Sequence, residues 1–181
     1  MQDISLRALE VLKQVDVVAA EDTRITSRLL KHFEISATLM ALHEHNERRA
    51  AERVIALLQQ GKSVALVSDA GTPAISDPGA IVVSRVRDAG FRVVPVPGAN
   101  AAVTALSVSG QEAPHFLFYG FLPNKPSARR RELENLKTLP YTLIFYEAPH
   151  RIVDCITDMQ AVFGGEHSVT IARELTKLFE N

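Results

Sequence analysis

The sequence predicts an α/β protein, with a parallel-sheet N-terminal domain over residues 1–111 and a smaller α/β domain over 112–181. Three observations predict it. Short β-branched runs alternate with amphipathic runs of helical period as far as Gly110, the pattern of βαβ units around a parallel sheet. The loops expected at one end of the strands are dense in polar, Gly and Pro residues, while those at the other end (Gly61-Lys62, Ala89-Gly90) are plain turns. After Gly110 the rhythm changes, and Gln111 to Pro114 reads as a linker.

Each element has a local reason. Leu6, Leu9, Leu12 and Val15 recur at helical spacing behind Ser5, a plausible N-cap. Val17 to Ala20 is a short buried-strand run, Thr23 to Phe33 a helix, and Thr38 to Leu42 a strand. Asn46 to Gln60 carries Val54, Leu57 and Leu58 on one face and is stopped by Gly61 at C′. Ser63 to Val67 reads as strand. Asp77-Pro78 looks like an N-cap acid followed by proline at N1, opening a helix that Gly90 closes. Phe91 to Val96 is expected to be the next strand, and a helix from about Ala99 to end near Gly110. In the second domain, strands are expected at His115–Tyr119, Tyr141–Tyr146 and Ser168–Arg173, with helices from Ser127 to Thr138 and from Pro149 to Phe163.

Composition narrows the class. At 46% hydrophobic and 23% charged residues, the chain reads as an ordinary globular protein. Its 20 basic and 21 acidic residues nearly cancel, so any nucleic-acid contact must come from a local patch. Cys155 is the single cysteine, which excludes a disulfide frame or a cysteine-based zinc site and fits a reducing cytoplasm. No apolar run approaches the roughly 20 residues of a membrane span, and the N-terminus has no signal-peptide core. The sequence therefore reads as soluble and cytoplasmic, with no membrane role.

In an open parallel sheet, ligands bind beyond the carboxyl ends of the strands. Those segments are Glu21 to Arg24, His43 to Asn46, Ser68 to Gly79, and Pro97 to Asn100. The loop from Ser68 to Gly79, SDAGTPAISDPG, is the most informative. Its two glycines and two prolines permit close backbone approach in a fixed shape, and it is far longer than a simple connection needs. Pro97-Gly98 before a small-residue helix is less specific. It serves close helix–sheet packing as readily as it widens a ligand crevice.

These residues resemble the tetrapyrrole methylase superfamily, in its branch that methylates small-subunit ribosomal RNA. Beside the long loop, the similarity takes in AAEDTR at Ala19 to Arg24, LHEHN at Leu42 to Asn46 and VPVPGANAAVTALSVSG at Val94 to Gly110. It continues through GFLP at Gly120 to Pro123, IFYEAPHR at Ile144 to Arg151 and ARELTK at Ala172 to Lys177. It covers essentially the whole chain in order. The resemblance implies a tetrapyrrole-methylase-like fold with S-adenosylmethionine in a cleft between two domains. It also implies 2′-O-methylation of a cytidine ribose in 16S rRNA of the 30S subunit, by a homodimer. Asp69, Gly71, Thr72, Pro73 and Ile75, then Asn100 and Ala101, then Tyr146 and Glu147, are the cofactor-binding residues it implies. Members of the family carry a strand and glycine-bearing loop ahead of the segment that here begins Gln2-Asp3-Ile4, and further strands beyond ARELTK. The first strand of the N-terminal domain is therefore expected to be missing and the C-terminal domain to be incomplete.

For such chemistry, a base must take the ribose hydroxyl proton. Glu21, Asp22, His43, Glu44 and His45 are candidates at strand ends, because imidazoles and carboxylates there face the substrate side. The bland alternative for Glu21 to Arg24 is a helix start with first-turn acids and one ion pair. His43 and His45 at i and i+2 could share a metal, but no third ligand is evident and no metal is expected. Arg129, Arg130, Arg131 and Arg151, with Arg24, Lys125 and Lys137, form the candidate RNA-binding patch, and Tyr119 and Phe121 could stack a base. The alternative is a solvated helix face pairing with Glu132 and Glu134. Two rival functions stay open: a methylase of a small tetrapyrrole, and a catalytically silent RNA-binding or dimerising module.

Overall fold

A computed structural model describes residues 1–181, which divide into two units, Met1–Asn100 and Ala101–Asn181. The first unit runs α1 (Leu6–Gln14), β1 (Val17–Ala20), α2 (Thr23–His32), β2 (Thr38–Ala41), α3 (Glu47–Gln59), β3 (Val64–Val67) and α4 (Ala80–Asp88). A 3-10 turn, Glu44–Asn46, leads into α3. The sheet is parallel, in the order β2-β1-β3, with Val17 level with both Thr38 and Val64. Being central and covered on both faces, β1 is buried along its whole length, which is why it reads as a continuous apolar run. Val17 and Ala19 pack with Ala50, Ala51 and Val54 of α3 and Val82 and Val86 of α4. Val18 points the other way, onto Leu12, Leu30 and Ile35.

The Ser5 cap forms as expected: its Oγ accepts from the Ala8 N–H at 3.2 Å. The same hydroxyl donates to the Pro97 carbonyl at 3.1 Å, tying the start of α1 to the PGAN turn. Ser5→Ala should therefore cost about 1 kcal/mol, within the usual range for a lost N-cap, measured as a shift in the urea midpoint by far-UV circular dichroism. A shift under a quarter of that would mean the hydroxyl contributes nothing to this unit.

Three expectations are corrected here. Phe91–Val96 forms no strand: Phe91 packs on the α3–α4 core, but Arg92 to Pro95 are exposed and make no ladder. Its β-branched residues have the propensity without a partner in register, and Pro95 lacks an N–H to donate. Asp77-Pro78 does not open α4. Gly79 is the N-cap, and Asp77 and Pro78 belong to the preceding loop. Ser168–Arg173 is likewise no strand; its residues are exposed, held at Thr170 by a bond to the Ser109 carbonyl and at Arg173 by a reciprocal backbone pair with Asn181.

The second unit contains α5 (Ala101–Val108), β4 (Phe116–Phe121), α6 (Pro126–Leu136), β5 (Thr142–Tyr146) and α7 (Ile152–Phe163), the last preceded by a 3-10 turn at Pro149–Arg151. β4 and β5 pair in parallel, with an irregularity between Phe118 and Gly120. Leu122, Leu133, Cys155, Met159 and Val162 form the core. The units divide at Asn100/Ala101, ahead of the boundary expected after residue 111. Helix α5 goes with the second unit because buried Ala102 donates its N–H to the Tyr146 hydroxyl at 3.2 Å, at the end of β5. No helix is long and apolar enough to cross a membrane.

Candidate functional site

Because β1, β2 and β3 are parallel, their carboxyl ends share one edge of the sheet, and the polar segments that follow them meet there. The ends of β1 and β3 are braced against each other. Glu21 Oε2 accepts from the Asp69 N–H at 3.2 Å, and Asp69 Oδ1 accepts from the Asp22 N–H at 3.1 Å. Asp22 then caps α2 through the Arg24 N–H at 2.8 Å and grips the Arg24 guanidinium, with Nη2 to Oδ2 at 2.5 Å. The hydrogen bonds from Arg24 hold the Asp22 carboxyl down at about 2, well under its ordinary 3.8. Such a carboxylate takes a proton poorly, so among the proposed bases Asp22 is a helix cap, and Arg24 is its exposed ion-pair partner.

His43 caps the 3-10 turn after β2 and His45 lies within it, with ring centroids 6.1 Å apart and edge-on. The His43 N–H donates to Asn46 Oδ1 at 2.9 Å, fixing the turn, while His45 and Glu44 are exposed. No three His, Cys, Asp or Glu side chains converge as metal ligands.

The loop from Ser68 to Gly79 is shaped by backbone that few residues adopt. Gly71 has φ +76° and Gly79 φ +136°, and the two non-glycine residues Ala74 and Ser76 sit at +67° and +59°. Left-handed non-glycine residues store of order 1 kcal/mol each and persist where the surroundings impose them, often at ligand sites. Thr72 Oγ1 donates to the Ala99 carbonyl at 3.0 Å, holding the loop against the PGAN turn that ends at Asn100. Gly71, Ile75 and Asp69 are exposed, Thr72 and Pro73 half-buried. Asp77 and Glu47 carry no local sequence signal of their place here. Asp77 is half-buried within the loop, and burial followed by the nearby Glu21 carboxylate push its carboxyl above the ordinary value. Its neighbour Pro78 had made it look like a helix cap. Glu47, the first residue of α3, is buried and reaches the far end of the loop: its Oε1 accepts from Gly79 and Ile81 N–H at 2.8 Å each, and from Val82 at 3.4 Å. Only three-dimensional packing reveals that contact.

In the second unit, Ala101, Tyr146 and Glu147 line one cavity of about 940 Å³, with Ala102, Cys155 and Thr170 also on its wall. Tyr146 is clamped by its bond to Ala102 and by edge-on contacts with Phe118 and Phe121, at 4.8 and 5.7 Å between centroids. The Glu147 side chain is only 6% exposed. Its Oε1 meets the Ala148 N–H at 2.8 Å and Arg151 Nε at 3.3 Å, while Oε2 is buried with no hydrogen-bond partner. Burial, and then the Glu147 carboxylate, push the Cys155 thiol up to about 11, so this cysteine is an inert wall.

The expected RNA-facing arginines are largely spoken for. Arg129 is 3% exposed, with Nη2 2.6 Å and Nε 2.7 Å from Asp158 Oδ2, and Nη1 donating to the Pro123 and Asn124 carbonyls. Arg130 reaches the same buried Asp158 at 2.5 Å. Arg151 donates to the Leu122 carbonyl at 3.0 Å and to the Asn124 side chain. Lys137 donates to the Val162 carbonyl at 2.7 Å. Arg129, expected in the RNA-binding patch, is instead drawn into the core by Asp158, on α7. Tyr119 packs into that core beside Phe145, and of the patch Lys125 and Arg131 remain exposed without such ties.

Comparison with known proteins agrees with this architecture. The family described as Tetrapyrrole (Corrin/Porphyrin) Methylases matches residues 1–181. The chain is 56% identical over 178 residues to the ribosomal RNA small subunit methyltransferase I of Xylella fastidiosa, covering 98% of this chain and 65% of that protein. It is 54% identical over 180 residues to the protein of the same name from Escherichia coli O157:H7, covering 99% and 63%. It therefore spans less than two thirds of the length of these relatives. Among solved structures, the methyltransferase CobJ superposes with a TM-score of 0.68 at 15% identity, over 100% of this chain and 80% of that one, which shows the fold. With the family match unbroken from end to end, the chain belongs to the tetrapyrrole (corrin/porphyrin) methylases.

Proposed function

We propose that this chain forms the body of a cytoplasmic, homodimeric S-adenosylmethionine-dependent methyltransferase acting on the 2′-oxygen of a cytidine ribose in 16S rRNA of the small subunit. The observation that carries the reading is the loop Ser68–Gly79, held in a strained shape at the carboxyl edge of a parallel sheet, in a chain more than half identical to named ribosomal RNA methyltransferases.

The residues present fit the cofactor. Asp69, Gly71, Thr72, Pro73, Ile75 and Asn100 offer backbone polar groups and a small apolar wall, and the carboxylates of Glu21, Asp69 and Asp77 suit a cationic ligand. Ala101, Tyr146 and Glu147 offer an apolar cavity with one buried, unpartnered carboxylate oxygen, which suits amino or hydroxyl donors. When bound, S-adenosylmethionine supplies an electrophilic methyl group on a sulfonium. What remains for the chain is to hold the ribose oxygen in line, an effect that can supply roughly 7–11 kcal/mol, and to accept its proton. Glu21, His43, His45 and Asp77 are the acceptors at that edge, Asp22 being occupied by Arg24. Lys125, Arg131 and Arg24 would meet RNA phosphates, giving salt-dependent affinity.

Titration calorimetry with S-adenosylmethionine is expected to saturate. No binding at millimolar cofactor, weaker than about −4 kcal/mol, would remove the cofactor reading. Radiolabel from the cofactor is then expected in 16S rRNA of undermethylated 30S subunits. Bound RNA without label transfer would instead favour the silent RNA-binding module.

A further inference from the structure

The loop between β3 and α4 keeps its shape by means that lie mostly outside it. Its own backbone bonds are long: Ala74 N–H to the Pro78 carbonyl and Ile75 N–H to the Thr72 carbonyl, both 3.3 Å. Between them stand Ala74 and Ser76, both left-handed. Three external anchors hold the segment: Glu21 and Asp22 at Asp69, the Ala99 carbonyl at Thr72, and Glu47 at Gly79. The first two are exposed to water, which competes for every bond they make. The third is buried, and its single carboxylate oxygen takes two amides at 2.8 Å, the shortest bonds of the set. Glu47 also follows directly on the 3-10 turn that His43 caps and that contains His45, so one short segment carries two candidate bases and the loop's anchor.

We propose that Glu47 is the positioning residue that sets the conformation of the Ser68–Gly79 loop, and through it the affinity for S-adenosylmethionine. It acts through the Gly79, Ile81 and Val82 amides. The cofactor half of this rests on the function proposed above, while the loop half does not.

Amide hydrogen exchange separates a loop anchor from a mere cap on α4. In Glu47→Ala, exchange at the Ala74 and Ile75 amides should rise at least tenfold, with β1 amides unchanged. In Glu47→Gln, which keeps the acceptor oxygen and drops the charge, the rise should be intermediate. Acceleration confined to Ile81 and Val82, with Ala74 and Ile75 at wild-type rates, would overturn the proposal. Calorimetry on the same proteins should show the cofactor Kd raised about fivefold or more in Glu47→Ala and partly restored in Glu47→Gln. An unchanged Kd beside a loosened loop would overturn the affinity half. If the wild type binds no cofactor, the functional reading fails and the exchange result still decides whether Glu47 shapes the loop.

Discussion

Asp158→Ala should unfold the second unit at a urea concentration corresponding to a loss of about 3–5 kcal/mol, the usual cost of stranding a buried charge. Asp158 is 3% exposed and is the shared partner of Arg129, also 3% exposed, and of Arg130. Removing it leaves the Arg129 guanidinium deep in the unit with only the Pro123 and Asn124 carbonyls, at 3.4 and 3.3 Å. The measurement is unusually clean. All three tyrosines (Tyr119, Tyr141 and Tyr146) lie in this unit and the chain has no tryptophan, so tyrosine fluorescence reports its unfolding alone. A loss under 1 kcal/mol would show that Arg129 escapes to solvent and that the network is decorative. The double substitution Arg129→Met with Asp158→Leu should recover most of the loss, because apolar replacements of both partners leave nothing unpaired.

The same network fixes a pH dependence. Burial pushes the Asp158 carboxyl up, but hydrogen bonds and charges from Arg130 and Arg129 outweigh it and hold the group below its ordinary 3.8. A carboxylate depressed on folding stabilises above its unfolded value, and that stabilisation is lost as pH falls through the folded value. The tyrosine-monitored midpoint should therefore fall steeply below about pH 4, and the Met/Leu double variant should lack that component.

This network also marks where sequence reading stops. Strand β1 was legible because a strand covered on both faces must be apolar throughout, and Val17 to Ala20 is. The Ser68–Gly79 loop was legible as a loop because its glycines and prolines are local. Arg129 was misplaced because its partner lies 29 residues away on α7, so a run of three arginines looked like an exposed RNA-binding patch. Phe91–Val96 was read as a strand from propensity, which describes a residue's fitness for a sheet and not the presence of a neighbour to pair with. Glu47 was hidden for the same reason as Arg129. Its helix start looked complete in itself, and its role depends on amides 32, 34 and 35 residues away.

Gly79→Ala should cost the first unit about 2–4 kcal/mol and carry the loop with it. The backbone there has φ +136° and ψ −23°, outside the ordinary left-handed well, so any side chain is strained. An added Cβ would lie 2.8 Å from Leu66 Cδ2, with the Ala74 N–H and Cβ at 3.4 and 3.5 Å. Leu66 can swing, but it packs into the core shared by β1, α3 and α4, so the movement has an overpacking cost of about 1–3 kcal/mol. Gly61→Ala is the fitting comparison. Gly61 is also left-handed, at φ +77°, yet nothing lies within 4 Å of its missing Cβ, so only the backbone term of about 1 kcal/mol should appear. Urea unfolding followed by far-UV circular dichroism at 222 nm measures both. Equal losses would mean that Leu66 yields freely and that Gly79 is required for its backbone angle alone. A larger loss at Gly79, accompanied by faster exchange at Ala74, would mean that the absent side chain lets β3, Glu47 and the loop close upon one another.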